Sequence, residues 1–265
     1  MTQNADTPHA SSSHSTKTRI QRTRLLLGSG GLSTPQRQQD WAREFDDFLG
    51  SIQNVLLIPW AGHDPDQYLQ MLSQRINTGG RTLDSIHLHP DPVATILRAE
   101  ALLVGGGNTF RLLQRMHHHA VLDAIQDRVR KGMPYMGISA GTNVACPTIM
   151  TTNDMPIVMP PTLQALGLVP FQINAHYYSG PTMIRLADES VIPYGGETRD
   201  DRLNEYHQMN ERPVLAMWEG GILRVEHGSA LLKGHSTARL FTKGEPAQDL
   251  PADADVSHLL RPAHA

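Results

Sequence analysis

Residues 134–146 read PYMGISAGTNVAC, and this stretch indicates both the fold and the chemistry. The apolar run 134–138 predicts a buried strand, and residues 142–146 are compatible with a helix. Between them lies Gly137-Ile138-Ser139-Ala140-Gly141, a serine flanked by glycines. A tight strand–turn–helix junction raises such a hydroxyl at the carboxyl edge of a sheet, beside a helix N-terminus whose dipole favours negative charge. The alternative is a serine that only caps the helix.

On the N-terminal side of this turn, short apolar runs alternate with helical patterns. This alternation predicts an α/β fold with a doubly wound, mostly parallel sheet and helices on both faces, because parallel strands need crossover helices. The predicted strands cover residues 24–27, 54–59, 85–88, 101–104 and 134–138, and the predicted helices cover residues 35–49, 66–76, 92–99 and 109–131.

After residue 210 the pattern changes to short β-like runs separated by glycine-containing turns. These runs, at residues 214–218, 222–225, 230–232 and 239–242, predict an antiparallel meander at the sheet edge. We expect one α/β domain over residues 23–244, a flexible polar tail at residues 1–22 and a frayed tail at residues 245–265.

The composition of the 265 residues argues against several classes of protein. A net charge of −3 disfavours a nucleic-acid partner, because neutralising phosphates requires a basic excess. The single cysteine, Cys146, excludes an intramolecular disulfide and Cys-clustered zinc sites. No apolar run is long enough to span a membrane, and residues 1–17 lack the apolar core of a secretory signal. We therefore expect a cytoplasmic protein without a membrane partner.

A second glycine-rich turn, Gly105-Gly106-Gly107, follows another predicted strand. Three glycines let backbone N–H groups converge on an anion, as an oxyanion hole requires. A phosphate-binding loop is the alternative, but neither G-x-x-x-x-G-K-[ST] nor G-x-G-x-x-G is completed here. The turn at residues 28–31 also breaks the latter pattern, with Ser33 in place of the third glycine, and is interpreted as strand-to-helix packing.

A serine nucleophile needs a base, and the chain has 14 histidines. His176 follows the alternating, strand-like residues 171–175, which puts it at a strand end, where doubly wound folds build their sites. Most other histidines lie in the predicted tails, in the triplet 117–119, or beside a strand end. Two carboxylates, Asp154 and Glu219, compete to orient the imidazole. Paired ligand spacing such as H-E-x-x-H is absent, so we expect no metal and no cofactor.

These residues resemble peptidase E, the α-aspartyl dipeptidase family of serine peptidases, over about residues 25–242. Five blocks carry the resemblance: GGGNTF at 105–110, GISAGTNVACP at 137–147, TTNDMPIV at 151–158, QINAH at 172–176 and GETRDDR at 196–202. The third and fifth blocks together are more specific than the serine turn. The resemblance implies a fold like the class I glutamine amidotransferase domain, with serine in place of that enzyme's cysteine.

The resemblance also implies catalytic roles. Ser139 would be the nucleophile and His176 its base. The family's third acid has been assigned both to the aspartate matching Asp154 and to the glutamate matching Glu219. An orienting acid belongs at a strand end beside the histidine, which favours Glu219; Asp154 could instead hold its loop or the substrate's amino group.

The remaining implied roles concern substrate and transition state. Gly107 and Ala140 would supply the oxyanion N–H groups. Arg199 would grip the substrate's aspartyl carboxylate, because a guanidinium fork matches a planar carboxylate, and Asn108 and Asn153 would also bind substrate. Without the resemblance, Arg199 would be interpreted as a surface ion pair with one of its acidic neighbours, Glu197 or Asp200.

The function expected from these features is hydrolysis of small peptides, dipeptides with N-terminal aspartate, by a monomer or homodimer. The alternatives are a cyanophycinase-like β-aspartyl peptidase, a binding protein that has lost catalysis, and an α/β-hydrolase esterase using a late histidine such as His227 or His235. Chain order disfavours the esterase. Two positions depart from the family pattern: Ile138 stands in place of a usual tryptophan, and Thr142 in place of a usual alanine. The insertion at residues 177–198 also makes the segment between His176 and Arg199 longer than in typical members. The substrate range of this protein can therefore differ from that of the family.

Overall fold

A computed structural model describes residues 22–30, 34–76 and 78–261. The strands are β1 (Leu25–Gly28), β2 (Asn54–Ile58), β3 (Thr82–Ser85), β4 (Ala101–Val104), β5 (Tyr135–Ile138), β6 (Gln172–Tyr177), β7 (Met183–Arg185), β8 (Val191–Pro193), β9 (Val214–Trp218), β10 (Ile222–Glu226), β11 (Ser229–Lys233), β12 (Ala238–Phe241) and β13 (Gln248–Leu250). The helices are α1 (Pro35–Leu49), α2 (Pro65–Arg75), α3 (Pro92–Arg98), α4 (Thr109–His118), α5 (Leu122–Arg130), α6 (Ala140–Asn143) and α7 (Arg199–Met209), with 3₁₀ turns at Ile86–Leu88 and Ser257–Leu260.

The main sheet has the order β11-β10-β1-β5-β4-β2-β3. The five neighbouring strands β1, β5, β4, β2 and β3 are parallel to one another. On the other side of β1, the sheet continues with β10 and β11, which pair antiparallel. This arrangement confirms the predicted mostly parallel, doubly wound sheet with antiparallel edge strands.

Helices cover both faces of this sheet because successive side chains of a strand point to opposite sides. In β1, Leu26 packs in one core with Trp41 of α1. Its neighbour Leu27 belongs to the opposite core, together with Leu112 of α4 and Ile125 of α5. All four residues of β1 are buried, as expected for a strand covered on both sides.

The C-terminal strands divide between two sheets instead of forming one meander. β9 and β12 leave the main sheet and join β6 and β13 in a second sheet of order β13-β12-β9-β6. Within it β6 and β9 are parallel neighbours, so their carboxyl ends lie at the same edge. The alternation of apolar residues identifies each strand, but it does not determine the strand's partner.

Three other segments differ from the sequence-based expectation. Residues 86–88 form a 3₁₀ turn, and the strand lies just before them, in β3. The helix predicted over 109–131 is two helices, because Ala120 between them takes a left-handed φ of 51°. The segment expected to fray carries β13 and a 3₁₀ turn, and it buries Val256, Leu259 and Leu260 against the core.

The predicted tails lie partly outside the described residues, namely residues 1–21 and 262–265. Within the described ranges, no helix combines the length and apolar character that crossing a membrane requires.

Candidate active site

Ser139 occupies the turn between β5 and α6 in a backbone conformation that is costly for a residue with a side chain. Its φ is 54° and its ψ is −107°, and such strain persists only where the surroundings enforce it. The Ser139 N–H donates to the Gly28 carbonyl oxygen at 2.9 Å. A Cβ on Gly141 would lie 2.1 Å from the Val104 oxygen, and one on Gly137 would lie 2.6 Å from the Gly141 oxygen. The two glycines are therefore required by close backbone approach.

His176 lies near the end of β6 at an irregularity in the strand. The pairing with β9 shifts register between Asn174 and Tyr177, and His176 has a φ of 57°. An extra residue of this kind bends a strand and redirects a side chain. The His176 N–H donates to Ser29 Oγ at 2.8 Å, and that hydroxyl donates to the Met217 carbonyl oxygen at 2.8 Å. Ser29 thereby joins the end of β1 to β6 and β9 of the second sheet.

The glycine-rich turn after β1 combines two packing functions. Gly28 fits the strand-to-helix interpretation, since a Cβ there would lie 2.0 Å from the Trp41 ring. Gly30, with a φ of 135°, lies under the imidazole, and a Cβ there would lie 2.5 Å from Cε1 of His176. The rest of that predicted turn, residue 31 together with Ser33, lies outside the described residues.

A hydroxyl, an imidazole and a carboxylate form one hydrogen-bonded chain. Ser139 Oγ is 2.7 Å from His176 Nε2, and His176 Nδ1 is 2.6 Å from Glu219 Oε1. Glu219 directly follows β9, the parallel neighbour of β6, so the two strand ends bring carboxylate and imidazole together. The side chains of His176 and Glu219 are each 40% exposed, which leaves the pair accessible from solvent.

The electrostatics of Glu219 fit this arrangement. The hydrogen bond with His176 holds the pKa of the Glu219 carboxyl below its ordinary range, against the opposing effect of burial, and the nearby charges of His176 and Arg37 act in the same direction as the hydrogen bond. The carboxyl is thus ionised at neutral pH, as stabilisation of an imidazolium requires.

Asp154 lies in different surroundings, at the N-terminus of α4. Its Oδ2 accepts from the Thr109 N–H at 2.7 Å, from Thr109 Oγ1 at 2.6 Å and from Thr152 Oγ1 at 3.2 Å. A carboxylate in this position accepts from an N–H that has no partner within the helix and interacts favourably with the helix dipole. The structure therefore joins Glu219, and not Asp154, to the imidazole.

The glycine loop lies against the serine turn. A Cβ on Gly106 would be 3.2 Å from Ser139 Cβ, so the loop and Ser139 are in contact. Gly107 has a φ of 133° and rests on Ala61, whose carbonyl oxygen would lie 2.6 Å from a Cβ at that position. Across the described residues, the N–H groups of Gly107 and Ala140 donate to no protein atom.

Arg199 begins α7 and lines a small polar pocket of about 180 Å³. The pocket is also lined by Thr152, Asn153, Asp154, Asn174 and Arg202. The Arg199 guanidinium lies over the Tyr178 ring at 5.2 Å, and in the described part of the chain its buried Nε has no hydrogen-bond partner. Glu197 pairs instead with Arg202, and Asp200 with Arg239. The acidic neighbours thus leave Arg199 available to a ligand.

The two asparagines are engaged with backbone. Asn153 Nδ2 donates to the Ala175 carbonyl oxygen at 2.6 Å, which ties the pocket wall to the residue before His176. Asn108 caps α4 by accepting from the Arg111 N–H at 3.0 Å, and its Nδ2 donates to the Met155 carbonyl oxygen at 2.9 Å. Both side chains therefore connect segments of the site.

Other reactive groups lie elsewhere. Burial raises the pKa of the Cys146 thiol to about 12, so it is protonated at neutral pH. His235 contacts Asp40 and not Ser139. Among the described residues no group of three or more histidine, cysteine or acidic side chains is arranged to hold a metal ion.

The fold and the hydroxyl–imidazole–carboxylate chain are those of a serine hydrolase. The sequence model of peptidase family S51 matches residues 24–233, and the chain belongs to that family. It is 42% identical to Peptidase E of Streptomyces coelicolor over 80% of this chain and 84% of that protein. It is 38% identical to the probable alpha-aspartyl dipeptidase of Drosophila melanogaster over 91% of this chain and 98% of that protein.

Solved structures support the fold assignment. A peptidase from an acI-B1 actinobacterium superposes with a TM-score of 0.62 over 88% of this chain and 96% of its own, at 15% identity. A putative Peptidase E protein from Listeria monocytogenes gives a TM-score of 0.55 over 87% and 99%, at 19% identity. At these identities the likeness concerns the fold alone.

Sequence reasoning missed Ser29 and Gly30. Neither belongs to a recognisable catalytic pattern, and only the spatial meeting of β1 with β6 and β9 gives them a role. The failure of residues 28–33 to complete a nucleotide-binding pattern was the one available signal that the glycines serve another purpose.

Proposed function

We propose that this protein is a serine dipeptidase that cleaves dipeptides carrying an N-terminal aspartate. The observation that carries the proposal is the hydrogen-bonded chain Ser139–His176–Glu219, with distances of 2.7 and 2.6 Å. The pocket that holds the Arg199 guanidinium is lined by Asn153, which donates to the carbonyl oxygen of Ala175, the residue before His176. The names of the relatives, Peptidase E and probable alpha-aspartyl dipeptidase, support the same substrate class.

In the proposed mechanism Ser139 Oγ attacks the scissile carbonyl while His176 Nε2 takes its proton. Glu219 stabilises the resulting imidazolium through Nδ1. The oxygen of the tetrahedral intermediate accepts hydrogen bonds from the N–H groups of Gly107 and Ala140. His176 returns the proton to the departing amine, and an aspartyl ester of Ser139 remains. Water, deprotonated by His176, then cleaves the ester and releases aspartate.

Arg199 is proposed to bind the aspartyl side-chain carboxylate. Burial lowers the pKa of the Arg199 guanidinium, the electrostatic interaction with Tyr178 opposes this effect and the like charge of Arg202 adds to it, and the group stays protonated at neutral pH. A pocket of about 180 Å³ suits a short acidic side chain, since one water occupies about 30 Å³ in the liquid. Asn108, Asn153 and Asp154 are proposed to hold the surrounding loops, because each joins two segments through a backbone group: Met155, Ala175 and Thr109, respectively.

The test is release of free aspartate from Asp-Leu by the wild type and by Ser139→Ala, each with and without a chelator. We expect loss of activity in Ser139→Ala and no effect of the chelator. Retained activity in the variant, or loss on chelation, contradicts the serine mechanism.

Arg199→Ala should abolish the preference for N-terminal Asp over Asn, and an unchanged preference would remove Arg199 from substrate recognition.

Two further arms separate the alternatives. Offering α- and β-linked aspartyl peptides side by side distinguishes a dipeptidase from a cyanophycinase-like enzyme. Retained p-nitrophenyl ester hydrolysis in His176→Ala would favour an esterase with another base. The proposal also includes a cytoplasmic location and a monomeric or dimeric state, which cell fractionation and light scattering test.

A further inference from the structure

Tyr68 of α2, which no catalytic pattern includes, lies directly against the glycine loop. Its hydroxyl accepts a hydrogen bond from the Gly106 N–H at 2.7 Å. A Cβ on Gly105 would lie 2.6 Å from both Cε1 and the hydroxyl oxygen of Tyr68. The ring thus occupies the space that a side chain at position 105 would need, and the hydroxyl fixes the next peptide.

With this hydrogen bond, three of the four consecutive backbone N–H groups of residues 105–108 have an acceptor. The Gly105 N–H donates to the Ile58 carbonyl oxygen at 3.0 Å, and the Asn108 N–H donates to the Ala61 carbonyl oxygen at 3.0 Å. With Gly106 engaged by Tyr68, Gly107 is the member of this run whose N–H donates to no atom of the described residues. Three anchors therefore hold the loop and leave one donor for a ligand.

The anchored loop borders the nucleophile, because Gly106 is in contact with Ser139. A rotation of the peptide between Gly105 and Gly106 would move Gly106 against Ser139 and turn the following N–H group. Tyr68 is suited to prevent this rotation, since it sits in the second turn of a helix capped by Asp64 and beginning with Pro65.

We infer that Tyr68 is a positioning residue for the oxyanion hole: it holds the Gly105–Gly107 loop so that the Gly107 N–H points to the oxygen of the tetrahedral intermediate. The inference rests on the proposed serine mechanism but not on the preference for aspartate. Burial raises the pKa of the Tyr68 phenol above its ordinary value of 10, against the effect of the Gly106 hydrogen bond, so the hydroxyl is un-ionised at neutral pH.

The decisive variant is Tyr68→Phe, which keeps the ring against Gly105 and removes only the acceptor for the Gly106 N–H. We expect kcat for Asp-Leu to fall about tenfold with KM within about twofold, because the loop acts on the transition state more than on bound substrate. Labelling of Ser139 by a fluorophosphonate, whose oxygen develops negative charge in the same hole, should slow by a similar factor.

The matched control is Ser73→Ala. It removes a hydroxyl from the same helix, where Ser73 Oγ donates to the Leu69 carbonyl oxygen at 2.8 Å, away from the loop. Unchanged kcat and labelling rate in Tyr68→Phe, or an equal loss in Ser73→Ala, would overturn the inference. If the wild type is labelled but does not cleave Asp-Leu, the substrate proposal fails and the labelling rates still test Tyr68. Absence of labelling in the wild type contradicts the serine mechanism itself.

Amide hydrogen exchange of the wild type tests the inference without a variant. The Gly106 N–H should exchange slowly and the Gly107 N–H quickly, and Gly107 should become protected once Ser139 carries a phosphonyl group. A Gly107 N–H that is already protected in the free enzyme, or unaffected by the adduct, contradicts the assigned arrangement.

Discussion

At the scale of single residues, the site separates two carboxylates that the sequence leaves in competition. Glu219 contacts the imidazole, whereas Asp154 accepts from the first residue of α4. The sequence places both near predicted strand ends or loops, and only the parallel pairing of β6 with β9 decides between them.

Substituting each carboxylate by its amide therefore gives different results. We expect Glu219→Gln to lower kcat by on the order of 10²- to 10⁴-fold with little change in KM, because the amide no longer stabilises an imidazolium. Asp154→Asn should lower the free energy of unfolding by about 1 kcal/mol through the weakened contact with α4 and should leave kcat within tenfold. Steady-state kinetics and thermal unfolding of both variants measure these effects. A large loss of kcat in Asp154→Asn, together with a small loss in Glu219→Gln, would instead identify Asp154 as the acid that orients the imidazole.

Gly30 has no reactive side chain, but its lack of a Cβ leaves room for the imidazole of His176. Ala at this position meets Cε1 of His176 at 2.5 Å and also requires a φ of 135°. We expect Gly30→Ala to slow labelling of Ser139 at least tenfold because the ring must move from a hydrogen-bonding geometry. Gly80→Ala is the matched control, since Gly80 has a φ of 84° and no heavy atom within 4 Å of the added Cβ. Equal effects of the two variants would mean that backbone strain alone is responsible.

At the scale of elements, the N-terminus of α7 presents Arg199 and is fixed to the second sheet by the next residue. Asp200 accepts hydrogen bonds from the Tyr177 hydroxyl and, at 2.9 Å, from Arg239 Nη1. Tyr177 directly follows His176 on β6. The same contact therefore sets the distance between the proposed base and the proposed carboxylate-binding group.

Weakening this contact should affect recognition more than chemistry. We expect Asp200→Asn to raise KM for Asp-Leu several-fold and to reduce the preference over Asn-Leu, with a smaller change in the rate of Ser139 labelling, because Arg199 shifts while Ser139 and His176 stay in place. Asp249→Asn is the control, since Asp249 binds the same Arg239 from β13 and, among the described residues, forms no hydrogen bond or ion pair with α7. A loss confined to labelling, with the preference unchanged, would contradict this account.

The elements also show what the sequence can determine. The parallel strands β1, β2, β4 and β5 were predictable because each is a short apolar run beside a helical pattern, and the GISAG turn follows from the need for glycine on both sides of a strained serine. The position of β3 was not, because its residues 82–85 read TLDS and form no apolar run. The pairing of β6 with β9 was not predictable, because the two strands lie about 40 residues apart in the chain and the apolar pattern of a strand does not specify its neighbour. The irregularity that redirects His176 and the bridging role of Ser29 depend on that choice.

At the scale of the whole molecule, the site exists only where the two sheets meet. Ser139 comes from the main sheet, and His176 and Glu219 come from the second sheet. Ser29 joins them, since its N–H donates to the Gly221 carbonyl oxygen at 2.9 Å and its hydroxyl is shared between β6 and β9. The hydrogen bonds within the site consequently contribute to holding the sheets together.

This coupling makes stability depend on pH through Glu219. Its pKa in the folded protein lies below the ordinary value of 4.5, chiefly because of the hydrogen bond with His176. A lowered folded-state pKa adds stability that is fully present above the unfolded-state pKa and is lost as the pH falls through the folded-state value. Since the side chain is 40% exposed, solvent screening keeps this contribution modest.

We therefore expect the difference in unfolding free energy between the wild type and Glu219→Gln to be largest near neutral pH. It should shrink as the pH falls below the ordinary value of 4.5, because the wild-type carboxyl then takes up the proton that removes its advantage over the amide. Urea unfolding between pH 7 and pH 3 measures this difference, and the subtraction cancels the effect of other carboxylates. A difference that stays constant across the range would show that the Glu219–His176 contact does not stabilise the junction of the two sheets.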